Sequence, residues 1–453
     1  MANYNGAMSG NWHRSAPPSV SLRSMDNVEN NSQALSALYR KISWRLLPLL
    51  MLAYLVSYLD RVNIGYAKLQ MLTALQFSDA VYGMGAGIFF VGYFLCEVPS
   101  NLLLEKIGAR KTMLRIMVLW GAVAAGMMLV KTPAQFYIMR FLLGVFEAGF
   151  FPGVVLYLTY WFPAARRGKV LALFMTSTIA ASLVAGPLCG AILQYLDGWR
   201  GLAGWQWMFV LQGVPALLLG VVLFLRLDDQ PEQARWLSEA ERELLRADLA
   251  QGAPAAPPPK VSLLAMLRSR VIYGYAMVNF LMIGATYALV FWVPSLIRSW
   301  GVQDALLIGL YAALPNLVGM IGMLLMARHS DKHGERRWHY AASVGIALAG
   351  IALTIAAQGV LLPSLIGMCI ATVGVASTTP LFITFTTEAL PRHLQAAGIG
   401  MITSIGILGG GASSAITGVL THHGGPNAIL AFVMLLFALS AALLLLVSRR
   451  RAD

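Results

Sequence analysis

Charge is scarce in this 453-residue chain: Asp, Glu, Lys and Arg together make up 12% of it, about half their share in an average soluble domain. With 58% hydrophobic residues and a mean hydropathy of +0.67, an ordinary soluble domain is excluded. Cysteine is scarcer still. The three thiols, Cys96, Cys189 and Cys369, all fall inside long apolar runs, as small buried thiols commonly do, so neither a disulfide framework nor a paired-cysteine zinc site is available. A Gly-rich phosphate loop and an HExxH pair are also lacking. The chain is therefore read as not an enzyme, with no cofactor. Of the seven histidines, His329 and His333 stand four apart, but their Ser-Asp-Lys neighbours indicate a solvated loop cluster, and no metal is expected. Residues 1–35 lack the short apolar core and small-residue cleavage site of a secretory signal.

What the chain does have is apolar windows of about 20 residues, each able to cross a ~30 Å hydrocarbon core as a helix. Twelve are read, at 46–67, 82–103, 112–130, 134–159, 169–194, 206–226, 271–297, 303–326, 340–358, 361–386, 394–420 and 427–447. They run continuously and do not alternate, which excludes an outer-membrane barrel. The fold class is an all-α integral membrane protein in a lipid bilayer. Six spans (46–226) and six more (271–447) flank one hydrophilic linker, 227–270. The linker opens with an amphipathic stretch in which Ser238 and Glu241 are placed as a capping box, then passes into a Pro/Ala segment, "QGAPAAPPPK".

Basic residues outnumber acidic ones by 33 to 20, and their placement explains the excess. Arg40, Lys41, Arg45, Lys106, Arg110, Lys111, Arg115, Arg166, Arg167, Lys169, Arg328, Lys332, Arg336, Arg337, Arg392 and Arg449–Arg451 all fall on one side. The other side has only Lys68, Lys131, Arg200 and Arg298. This asymmetry places both termini in the cytoplasm. The basic balance reports topology and not a nucleic-acid partner. The tail 1–45 is expected to be disordered, and 448–453 to be a short cytoplasmic tail.

The halves repeat a motif between their second and third spans: "NLLLEKIGARK" (101–111) and "ARHSDKHGERR" (327–337). Each has an acid (Glu105, Asp331), a Gly three positions on (Gly108, Gly334) and a basic cluster containing Arg110 or Arg336. Such a parallel repeat marks a six-plus-six transporter. The loops resemble the signature of the major facilitator superfamily, with Asn101 and Ala327 in place of its first Gly. Together with "YLDRVNIGYA", "CEVPSNLLLEKIGARK", "RFLLGVFEAGFFPGVVLYLTYWFP" and "SDKHGERRWH", the chain resembles the anion:cation symporter family over about residues 40–450, close to its bacterial tartrate- and phthalate-type members. The resemblance implies two pseudo-symmetric six-helix halves, a bacterial inner-membrane location, function as a monomer and gating roles for the repeated loops.

Five ionisable groups lie well inside the spans: Asp60, Arg61, Glu97, Arg140 and Glu147. Each would cost roughly 2.5–3.5 kcal/mol at a helix centre. Asp60, Arg61, Arg140 and Glu147 are expected to line one pocket, Asp60 and Arg61 acting as a pair, with static ion pairs as the alternative. Glu97, near Pro99, is read as structural or gating. Arg61, with Arg140 as a second candidate, offers a guanidinium that grips a carboxylate through two hydrogen bonds. Glu147 and Asp60 are the candidates for carrying a coupled proton, because a carboxylate's hold on its proton changes with its surroundings. The resemblance implies the same roles for Asp60, Arg61, Arg140 and Glu147, and substrate contact by Tyr93. Asn279, Tyr287, Trp292, Thr378, Thr379, Thr403 and Ser404 are polar candidates in the second half. Against the sugar-acid members of the resembled family, Ile179 stands in place of a span 5 Gln and the segment after Glu147 lacks their amide residues, so the resemblance implies an aromatic or short dicarboxylic acid over a sugar acid. The expected function is proton-coupled import of an organic carboxylate. The competing reading is a proton-driven antiporter or exporter, suggested by "AGPLCGAIL" (185–193).

Overall fold

The computed structural model describes residues 22–251, 269–391 and 394–449. Residues 1–21, the Pro/Ala part of the linker and the tail from 450 lie outside the described residues, as does Arg392. Among the described residues, twelve helical spans are long and apolar enough to cross a bilayer. Spans 1–6 are Leu22–Leu75, Asp79–Ile107, Ala109–Gly126, Pro133–Glu147 with Phe150–Trp161, Ala164–Tyr195 and Gly204–Arg226. Spans 7–10 are Arg270–Ser299, Ala305–His333, Arg337–Ala356 and Leu361–Ala389, and spans 11 and 12 share one run, Gln395–Arg449. That run kinks at Gly425 (φ +64°), ahead of Pro426. The spans pack as two six-helix halves, joined mainly through spans 2 and 11 and spans 5 and 8.

Two elements differ from expectation. The first helix begins at Leu22, so the described part of the tail is helical and not disordered. Leu38, Tyr39, Ile42 and Leu46 are buried at helical spacing, and the linker helix Glu239–Gln251 docks beside them. The Tyr39 hydroxyl donates to Asp248 Oδ2 at 2.6 Å, and Lys41 Nζ bonds Glu241 at 2.8 Å. Lys41 thereby holds the Glu241 carboxyl below the usual carboxylate range. The capping box forms as read: the Ser238 amide donates to Glu241 Oε2 at 2.8 Å and the Glu241 amide to Ser238 Oγ at 3.2 Å.

The second difference is span 4, which is not one helix. It stops at Glu147 and restarts at Phe150, with Gly149 at φ +87° between them. Only Gly adopts that conformation without strain. It also has no room for a side chain, since a Cβ there would lie 2.5 Å from Ser100 Oγ.

The halves close on each other at the membrane face opposite the described ends of the chain. Arg298 Nη1 donates to the Leu69 carbonyl at 2.5 Å, the Tyr82 hydroxyl to the Phe291 carbonyl at 3.4 Å, and the Ala305 amide to Gln194 Oε1 at 3.2 Å. Spans 5 and 8 meet backbone to backbone at Gly186 and Gly309, where a Cβ on Gly309 would stand 2.0 Å from the Gly186 oxygen. Gly186 belongs to the "AGPLCGAIL" stretch, so that element serves inter-half packing here. Among the described residues, the inter-half hydrogen bond nearest the terminus-bearing face is Ser404 Oγ to Glu97 Oε2, 2.9 Å.

A leucine at position 309 is therefore expected to wedge the closed face apart. In a background with the three native cysteines replaced, a cysteine at Leu69, a position 8% exposed, should label several-fold faster with an impermeant maleimide once Gly309→Leu is added. An unchanged rate would show that this contact does not hold the face closed.

Candidate functional site

The site is built on one stripe of span 1. Ser57, Arg61, Ile64 and Lys68 recur at four-, three- and four-residue steps and share a face. Ser57 and Arg61 both reach Glu147: Ser57 Oγ donates to Glu147 Oε1 at 2.9 Å, and Arg61 Nη2 forms an ion pair with the same oxygen. The Glu147 side chain is 1% exposed and that of Arg61 13%. The break in span 4 matters here, because it leaves Glu147 as the last residue of its helix segment. The Arg61 guanidinium also lies 5.3 Å from the Tyr93 ring centroid and 5.8 Å from that of Phe89, within cation–π range. Arg61 Nε and Glu147 Oε2 are buried with no protein hydrogen-bond partner. The pair therefore keeps a buried donor and a buried acceptor for a third group.

The expected Asp60–Arg61 pair does not form. Consecutive helical residues are set about 100° apart around the axis, so Asp60 faces spans 3 and 6 while Arg61 faces span 4. Asp60 accepts from Asn63 Nδ2 at 2.9 Å and Trp120 Nε1 at 2.6 Å. Asn63 also donates to Gln212 Oε1 at 2.8 Å. Arg140, 1% exposed, lies seven residues before Glu147 on the same helix yet does not pair with it. Its Nε donates to the Gly85 carbonyl at 3.2 Å, its guanidinium stands 4.9 Å from the Phe89 centroid, and its Nη2 is unpartnered. Phe89 thus stands beside both arginines.

The second half contributes less than the sequence reading assigned to it. The Asn279 amide donates to the Ile402 carbonyl at 3.2 Å, joining spans 7 and 11. Thr403 is exposed and gives its hydroxyl to carbonyls of its own helix, Ile399 and Gly400, both at 3.0 Å. Thr378 likewise bonds the Val375 carbonyl at 2.7 Å. The hydroxyls satisfy carbonyls of their own helix and the amide one of span 11, which is cheaper in lipid than leaving polar groups alone. Tyr287 packs edge-on against Phe90 across the halves, with centroids 4.7 Å apart. Ser404 holds Glu97. Trp292 covers Lys68, which is 4.8 Å from its ring centroid and 2.7 Å from Asp79 Oδ1 on the closed face.

The two repeated loops form comparable turns with different partners. Gly108 (φ +88°) and Gly334 (φ +62°) end their helices. Asp331 pairs with Arg336 at 2.8 Å, and Arg336 reaches on to Glu388 at 3.5 Å. Glu105 is exposed and has no ion pair among the described residues. In the first loop the acid comes instead from Asp229, after span 6. It accepts from the Arg110 amide at 2.8 Å, while the Arg110 side chain binds the Phe224 carbonyl at 2.8–3.0 Å.

Sequence reasoning missed Ser57, Phe89 and Trp120. Ser57 stands four residues before Arg61, a visible signal. Phe89 and Trp120 look like any other apolar span residue.

The profile of the Major Facilitator Superfamily matches residues 50–414. A putative tartrate transporter of Agrobacterium vitis is 43% identical over 92% of this chain and 96% of its own length. A quinolone resistance transporter of Acinetobacter baumannii is 36% identical over 86% and 89%. The inward open structure of the Escherichia coli xylose transporter superposes with a TM-score of 0.72 at 14% identity, covering 89% of this chain and 96% of that one. The chain belongs to the Major Facilitator Superfamily, whose members are transporters and not enzymes.

Removing one partner of a buried ion pair strands the other. Arg61→Ala is therefore expected to destabilise the protein by about 3–5 kcal/mol, and Arg61→Ala/Glu147→Gln by clearly less than the sum of the single changes. Unfolding of the purified protein in detergent micelles measures this. Additive effects would mean the two side chains do not interact.

Proposed function

We propose that this secondary active transporter imports an organic carboxylate together with one or more protons across a bacterial inner membrane, with both termini in the cytoplasm and the monomer as the working unit. The observation that carries the reading is the buried contact between Arg61 and Glu147. Without substrate, the two charges neutralise each other in a medium that tolerates neither alone. A substrate carboxylate competes for the same guanidinium, whose planar fork accepts it through two parallel hydrogen bonds. Glu147 is then left with Ser57 and no cation, and a proton neutralises it. Substrate and proton are thus bound together because each removes the charge that the other would leave.

The geometry supports this division of labour. Arg61 Nε and Glu147 Oε2 are the free donor and acceptor of the pair, Tyr93 and Phe89 flank the guanidinium, and Tyr287 with Phe90 adds aromatic surface between the halves. Arg140 adds a second buried cation near Phe89. Asp60, tied to Trp120 and Asn63, serves as a secondary proton group. The aromatic surroundings favour an aromatic or short dicarboxylic acid, and the tartrate-transporter relative agrees with a small carboxylate. The bonds at Leu69, Phe291 and Gln194 close the outer face, and the position of Ser404–Glu97 as the last inter-half bond toward the termini among the described residues supports an inward-open form, as alternating access requires. The Acinetobacter baumannii relative favours a second reading, proton-driven export, which reverses the direction of net transport.

Proteoliposomes given labelled tartrate, phthalate or a hydroxyphenylacetate test both readings. Wild type is expected to accumulate one of them only under an inward proton gradient. Glu147→Gln should retain exchange and lose accumulation, and Arg61→Lys, which lacks the fork, should raise the KM at least several-fold. Accumulation by Glu147→Gln would remove Glu147 from coupling. Gradient-driven extrusion by wild type would establish the exporter.

A further inference from the structure

The turn between spans 8 and 9, far from the Arg61–Glu147 site, gathers three of the seven histidines. His329 and His333 lie four apart on the last turns of span 8 and are exposed, with ring centroids 4.2 Å apart. Gly334 (φ +62°) reverses the chain, and the third residue of span 9, His339, comes back over them. His329 Nδ1 and His339 Nε2 are 2.8 Å apart, and each of the three rings offers a nitrogen within 4.8 Å of the other two.

We infer that His329, His333 and His339 form a binding site for a divalent transition-metal ion of the zinc type. Two of the rings are already oriented as metal ligands are. His333 Nδ1 donates to the His329 carbonyl at 2.8 Å. His339 Nδ1 lies 2.8 Å from Glu335 Oε2, to which it donates. A neutral imidazole that gives its Nδ1 proton away carries its lone pair on Nε2, and a carboxylate or backbone carbonyl behind the ring is the usual outer partner in metal sites.

Glu335 is itself fixed by the amides of Trp338 at 2.6 Å and His339 at 3.2 Å, so the carboxylate behind His339 is held by the helix start. Three imidazoles select zinc, copper or nickel over calcium and magnesium, which prefer oxygen. Three protein ligands leave a fourth position for water. Tetrahedral zinc with bonds of about 2.0–2.1 Å would set the nitrogens roughly 3.4 Å apart. Rings at the protein surface reach that spacing by small side-chain rotations, without moving the helices. Two of these histidines share one helix face, but the third ligand exists only because the turn folds span 9 back on span 8.

The test uses full-length protein purified through a tag that contains no histidine, stripped with chelator and titrated with Co²⁺ and then Zn²⁺. Calorimetry and the visible cobalt spectrum are the readouts. One equivalent is expected to bind, with a tetrahedral cobalt spectrum that Zn²⁺ abolishes. His329→Ala and His339→Ala should each weaken binding by about 100-fold or more. Glu335→Gln keeps all three ligands and, having one acceptor oxygen, can keep only one of the two amide bonds of the cap, and should weaken binding roughly 10-fold. Because two of the ligands are exposed and the third, His339, is only partly buried, variants should elute from size exclusion as wild type does. Absence of stoichiometric binding overturns the proposal. So does binding that His339→Ala leaves unchanged, since that would be a two-histidine chelate or stray sites. Neither result bears on substrate transport.

Discussion

A charge in a hydrocarbon medium must have a partner, and the interior of this protein is arranged around that requirement. Arg61 and Glu147 meet because span 4 breaks one residue after Glu147 and because the span 1 face that carries Ser57 also carries Arg61. The aromatic rings of Tyr93 and Phe89 stand close to the guanidinium, and Arg140 lies within cation–π distance of Phe89. The arrangement is compact but incompletely saturated: a buried nitrogen and a buried oxygen of the pair, Arg61 Nε and Glu147 Oε2, have no protein partner. Such open atoms suit the partner exchange proposed for the pair.

Several threonines of the second half follow the opposite rule and are turned inward on their own helices. Thr378, Thr403, Thr417 and Thr421 all give their hydroxyls to backbone carbonyls three or four residues back. These hydroxyls are spent locally, and the second half meets the first through aromatic surface at Tyr287 and Trp292. Close backbone contact at Gly186 and Gly309 brings the halves together on one face, and the Ser404–Glu97 bond is the innermost tether toward the other. A two-half machine that rocks needs this kind of interface, tight at one end and sparing at the other.

The repeated loops show how a duplicated motif diverges. Gly108 and Gly334 both end their helices at positive φ but with different ψ, 163° and 22°, and the first loop takes its carboxylate from Asp229, across the fold, while the second uses its own Asp331. The second loop has further surroundings that the first lacks: a carboxylate-backed His339 close to His329, and an arginine bound to both Asp331 and Glu388. The same motif therefore supports two different local chemistries, because the turn and what packs against it differ.

Twelve spans, the two halves, the linker's capping box and the five in-membrane ionisable groups were legible in the sequence, because hydropathy, periodicity and the cost of burying charge act locally along the chain. Arg61 and Glu147 were legible as candidates for the same reason. Their pairing was not. Asp60 stands next to Arg61 in sequence, and only the 100° step of the helix, together with what spans 3, 4 and 6 present to each side, gives Asp60 to Trp120 and Arg61 to Glu147. The same holds for Asn279 and Thr403, whose residue types suit a binding site but whose donors the packing had already engaged. His339 was invisible as a partner of His329 and His333 until Gly334 folded it over them. Composition and period decide which residues enter the membrane and which helix face they share. Contacts between helices distant in sequence decide which groups meet, since a hydrogen bond or ion pair depends on side-chain direction and on the neighbour it finds there.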